Sequence, residues 1–159
     1  MNAKPASYRA LFTLAFLLAA AVPALADRDC RTIHSRVTLA ASTEPGCPSD
    51  IGLCAGGVLK GSLRGTSEFL GTSFVSSEEI AAGGVIILTG DNTIHTQDGD
   101  LFTKDTIVLA TSGAGEFGEV DTIVGGTGVW DGASGKLIGT GTFANGAGEA
   151  LLVGEICWE

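Results

Sequence analysis

The residue of this chain best placed to do chemistry is a carboxylate. The run 101–110, LFTKDTIVLA, sets Asp105 among apolar neighbours. Alternate residues of a strand share a face, so Asp105 would stand with Leu101, Thr103, Ile107 and Leu109. On a buried face the carboxyl loses water, its pKa rises, and it becomes suited to work as an acid or base. The opposite assignment points Phe102, Lys104, Thr106 and Val108 inward, and structural ion pairs produce similar patterns. Glu68 and Glu119 are weaker candidates of the same kind, because the local pattern does not say which face of their strands is buried.

Other chemistries find less support. His34 and His95 fall in strand-like runs, and no nucleophile or carboxylate is spaced to complete a triad with either. Asp91, Asp98, Asp100 and Asp105 do not follow the ligand order of an EF-hand loop, so turn formation explains them better than calcium. His34, His95 and the four cysteines lack zinc-site spacing. The segment 113–118, GAGEFG, has no Lys-Ser/Thr after it and opens no helix, so it does not read as a phosphate loop.

The elements that would position these groups are strands. Ile33 to Ala40 alternates apolar and polar residues, and Pro45, Gly46 and Pro48 turn the next segment into a loop. Two strands are expected around Gly65 within Gly57 to Ser76, then Val85 to Thr96 and Leu101 to Thr111 across an Asp98-Gly99 turn. Glu116 to Val124, Lys136 to Phe143 and Ala150 to Trp158 complete the series, the last two joined by Asn145-Gly146. About eight strands at regular spacing predict a sandwich or a barrel. Gly61, Gly71, Gly139 and Gly141 inside strands suit coiling or close backbone approach. Between Ile123 and Phe143 a turn carries Gly125, Gly126, Gly128, Gly132 and Gly135, with a short helical turn expected at Trp130 to Ser134. Trp130 and Trp158 are expected to pack barrel ends. Phe69, Phe74, Phe102, Phe117 and Phe143 are candidates to line or fill an interior.

The N-terminus reads as a secretory signal. Lys4 and Arg9 precede an apolar run from Leu11 to Val22, too short for a comfortable membrane span, and Ala24-Leu25-Ala26 forms a cleavage site. Residues 1–26 are therefore expected to be removed and 27–159 to form one domain, secreted to the extracellular space or periplasm, with no membrane association afterwards. The chain has 9 Lys and Arg against 18 Asp and Glu, a net charge of −9, and loss of Lys4 and Arg9 makes it more acidic. Such a surface repels nucleic acid and anionic lipid. Cys30, Cys47, Cys54 and Cys157 are an even set in an exported chain, which favours disulfides. Three pairings are possible. Cys47 with Cys54 and Cys30 with Cys157 are preferred, since the second would tie the first strand to the last and tilts the choice from sandwich to barrel.

The stretch IVGGTGVWDGASGKLIGTGTF resembles the glycine signature of the allene oxide cyclase-like barrels, to which dirigent proteins are related. DGDLFT at 98–103, EVDTI at 119–123 and the closing GEIC at 154–157 extend the resemblance to small bacterial and fungal members. It implies an eight-stranded antiparallel barrel, often trimeric in plants, so a homo-oligomer is one expectation. It implies confinement of a reactive ligand in a cavity, as in fatty-acid epoxide cyclisation or phenolic coupling, without a metal or organic cofactor. The glycine signature is a structural corner, so no catalytic residue transfers with it. The resulting expectation is a secreted barrel that binds a small apolar or phenolic molecule, with cofactor-free cyclase or isomerase activity. The alternative is a non-catalytic extracellular module acting through its outer surface.

Overall fold

The computed structural model describes residues 28–42, 46–77 and 83–159. The expected leader, 1–26, and Pro45 of the first loop lie outside the described residues. The strands are β1 (Asp29–Ala41), β2 (Cys54–Gly61), β3 (Gly65–Ser76), β4 (Val85–Thr96), β5 (Gly99–Ala110), β6 (Glu116–Gly126), β7 (Ser134–Ala144) and β8 (Ala147–Trp158). Each pairs antiparallel with the next and β1 closes on β8, giving an all-β closed barrel of eight strands in chain order. Helical structure among the described residues is one 3-10 turn, Gly128–Trp130.

Alternation produces this arrangement. In β1, Ile33, Ser35 and Val37 are buried while His34, Arg36 and Thr38 face solvent. In β5, Leu101, Thr103 and Asp105 are buried while Phe102, Lys104 and Thr106 are exposed. The ladder runs further than the sequence pattern suggests. Pairing of Asp29 with Trp158 and of Cys30 with Cys157 draws the start of β1 well ahead of Ile33. Likewise β8 begins at Ala147, because Gly148 pairs with both Leu39 and Phe143 without breaking the strand.

Both preferred disulfides are present, Cys30–Cys157 and Cys47–Cys54. The first joins directly opposed residues of β1 and β8. The second holds the β1–β2 loop, which docks on β3: Gly71 N–H donates to the Leu53 carbonyl at 2.8 Å, and Ser49 Oγ donates to the Gly71 carbonyl at 2.5 Å. A bulge lies between Gly71 and Ser73 at this contact.

The glycine-rich turn is the β6–β7 corner. Its helical turn sits earlier than Trp130 to Ser134, because Gly128 adopts φ +64° and lets Trp130 N–H reach the Thr127 carbonyl at 3.1 Å. A Cβ at Gly128 would overlap the Asp98 carbonyl, so the corner can press on the β4–β5 turn only with glycine there. The corner delivers Trp130 into the barrel end, where it is fully buried. Trp130 Nε1 donates to Thr96 Oγ1 at 3.0 Å, Trp158 packs edge-on at 4.9 Å, and the Arg31 guanidinium lies 5.3 Å from the Trp130 ring centre. Both tryptophans therefore pack one end of the barrel.

Candidate functional site

Beyond the layer formed by Ile33, Ile94, Leu101, Leu137 and Ile156, the interior opens into a cavity of about 160 Å³. Its walls are mostly apolar, with Val37, Leu39, Leu59, Phe69, Ile107 and Phe143 among them. Leu53 of the stapled loop also contributes, so the Cys47–Cys54 bridge helps to hold one wall.

One wall is acidic, and the register of β5 and β6 builds it. Thr103 opposes Ile123, Asp105 opposes Asp121, Ile107 opposes Glu119 and Leu109 opposes Phe117. Phe117, Glu119, Asp121 and Ile123 share the inner face of β6. Asp105 and Asp121 thus stand side by side inside the barrel, with Glu119 one step nearer the hollow half. Asp105 is 4% exposed and Asp121 3%. All three line the cavity, as does Asn92 of β4, and among the described residues no Lys, Arg or His does.

The three carboxyls are not equivalent. Burial raises the pKa of Asp105 to about 6; hydrogen bonds from Thr103, Asn92 and Asp121 oppose the rise, and the charge of Asp91 adds to it. Thr103 Oγ1 donates to Asp105 Oδ1 at 2.5 Å. Burial, then the charges of Glu119 and Asp105 and the hydrogen bond to Asp105, push Asp121 up to about 10. Near neutral pH Asp121 therefore holds the proton and donates it to an ionised Asp105. That contact leaves Asp121 Oδ1 buried without a partner, and Asn92 Oδ1 is in the same condition. Glu119 rises to about 7, by burial first and the charge of Asp105 second. It is the group poised to gain or lose a proton near neutrality, whereas the donors around Asp105 fix that residue as an acceptor.

Glycine makes room for Glu119. Gly139 of β7 opposes it, and a Cβ there would overlap the Glu119 carboxyl. The side chain can then lie flat against the β7 backbone.

The structure turns the remaining candidates elsewhere. Glu68 lies on the outer surface, 3.9 Å from His95 Nε2, and is corrected from an interior candidate to a surface group. His95 Nδ1 meets Asp100 Oδ1 at 2.9 Å, and His34 is exposed. Asp91 pairs with Lys104 on the outside, so Asp91, Asp98, Asp100 and Asp105 do not converge on one point. Phe69, Phe117 and Phe143 line the cavity, whereas Phe102 faces outward and Phe74, opposite Leu88, is exposed. Cys30, Cys157 and Glu155 lie close enough to suggest a metal site, but both sulfurs are joined in a disulfide. Asp121 is the residue that sequence reasoning missed. Its signal is the inward-type alternation Phe117, Glu119, Asp121, Ile123, masked by Val120 and Val124 in the other parity.

Fold and site together define an up-and-down, eight-stranded antiparallel β-barrel with an acid-walled apolar cavity. The chain matches no protein-family model, no curated protein and no solved structure.

Proposed function

We propose that this protein is a secreted barrel of the allene oxide cyclase-like type that binds a small, largely apolar or phenolic molecule in its cavity. Glu119, backed by the Asp105–Asp121 pair, moves a proton within the bound molecule, an isomerase or cyclase step that needs no cofactor. The observation that carries this reading is a cavity with apolar walls and three desolvated carboxyls on one side. A concave apolar pocket with a few convergent polar groups and perturbed pKa values is the usual form of a small-molecule site. The glycine-corner resemblance and the two disulfides support the family and the export route.

Native mass spectrometry of the secreted protein tests the reading. A small apolar compound should co-purify, leave on denaturation, and be absent from a folded Leu109→Trp variant whose added ring fills the cavity. A ligand-free wild type that also takes up no aromatic or aliphatic probe would overturn it.

One observation favours the non-catalytic alternative. Val75, Ile87 and Val108 are register neighbours across β3, β4 and β5 on the outer face, with Val75 67% exposed. If the protein acts through that surface, Ile87→Lys should abolish its interactions while cavity variants leave them unchanged.

A further inference from the structure

The walls of the cavity also constrain the charge of what enters it. We infer that the ligand is a cationic amine on an apolar body of about one ring. This rests on the cavity-binding reading above and names the ligand's head group.

Size sets the body: a cavity of about 150 Å³ lined by apolar side chains is known to take benzene, and this one is about 160 Å³. Charge and hydrogen bonding set the head. The titratable groups facing the cavity are Asp105 from β5 and Glu119 and Asp121 from β6. Against them β4 presents Asn92 and β7 presents Gly139, and the lining from β1, β2, β3 and β8 holds no titratable side chain. The nearby Asp91–Lys104 pair belongs to the outer surface. Among the described residues, no positive charge of the protein's own compensates this wall.

The unmet bonds point the same way. Asp121 Oδ1 is buried without a donor, and so is Asn92 Oδ1. Both atoms are acceptors, and the Glu119 carboxylate is a third. An ammonium brings three N–H donors and the opposite charge. A ligand carboxylate brings only acceptors and a like charge, so the wall rejects it. A bare divalent cation is a poorer fit, because calcium takes six to eight oxygen ligands and most of this lining is hydrocarbon. The net charge of −9 draws cations toward the barrel before they reach the mouth.

Calorimetric titration of the protein at about pH 7.5 with phenethylamine, phenethyl alcohol and phenylpropionate tests the inference. The amine should bind at least about tenfold more tightly than the alcohol, and the propionate should not bind. Glu119→Gln should weaken the amine by about tenfold and leave the alcohol within about twofold. Binding of the cation favours ionised carboxylates, so amine affinity should rise between about pH 5 and pH 8 with measurable proton release. If Glu119→Gln does not fold, Asp105→Asn, which removes the other ionised carboxylate of the wall, is used in its place. Equal or tighter binding of the alcohol overturns the amine inference and keeps the cavity reading. Binding of calcium at this wall with no preference for the amine overturns it too. Failure of every probe, in calorimetry and in ligand-observed NMR, overturns both.

Discussion

The two halves of this barrel are made from the same strands and differ in what those strands turn inward. Toward the β6–β7 corner, β4, β5 and β7 contribute Ile94, Leu101 and Leu137, and Trp130 seals the end. Toward the β7–β8 turn the same strands contribute Leu88, Leu109 and Phe143, which are only partly buried and leave a void between them. The carboxyls sit where packing gives way to space. One half spends apolar side chains on closure. The other keeps its apolar surface available and tolerates charged groups beside it, a combination that costs stability and suits binding.

On that contrast, Trp130→Ala should cost about 4 kcal/mol, as for large-to-small changes in a dense core. Leu109→Ala at the mouth should cost only about 1 kcal/mol, since it enlarges a space that already exists. Denaturant midpoints for the two variants make the comparison, and equal losses would break it.

The next effect is electrostatic. Asp105, Asp121 and Glu119 have folded pKa values raised above those of free carboxyls, chiefly by burial. The folded state therefore binds more protons than the unfolded chain between about pH 4 and pH 10, and stability falls as pH rises through that window. The ligand-free protein should melt higher at about pH 5 than at about pH 8. Glu119→Gln should flatten that slope between about pH 4.5 and pH 7 and gain about 2 kcal/mol at about pH 8. A protein that gains stability on going from the acidic to the alkaline condition would contradict the assignment.

The smallest change in stability should come from Gly139→Ala. Its methyl would displace the Glu119 carboxyl, at a cost of about 0.5 kcal/mol because a long side chain can swing aside. Ligand uptake should nevertheless drop, because Glu119 is then pushed into the cavity. Unchanged uptake would show that the flat pose of Glu119 is irrelevant to the site.

Much of the frame is legible in the residues. Alternation marks most strands, Asp98-Gly99 and Asn145-Gly146 mark turns, and the even cysteines suggest both bridges. The inward face of Asp105 follows from Leu101, Thr103, Ile107 and Leu109. The acidic wall is less legible, because it depends on register. The unbroken register that runs from Leu109 opposite Phe117 to Thr103 opposite Ile123 decides that Asp105 meets Asp121, and no local pattern announces the pairing of two strands. Glu68 shows the same limit in reverse. Its neighbours allow either face, and pairing with Thr93 beside His95 puts it outside.

The bridge between Cys30 and Cys157 has a mechanical meaning. It spans 127 residues of sequence yet links adjacent positions on neighbouring strands. Tension applied at the two ends of the barrel domain passes directly from one sulfur to the other. The loop of chain between them, with all eight strands and the cavity, carries none of the load. The oxidised barrel is therefore inextensible between its ends, and its contents are shielded from pulling until that one covalent bond is reduced.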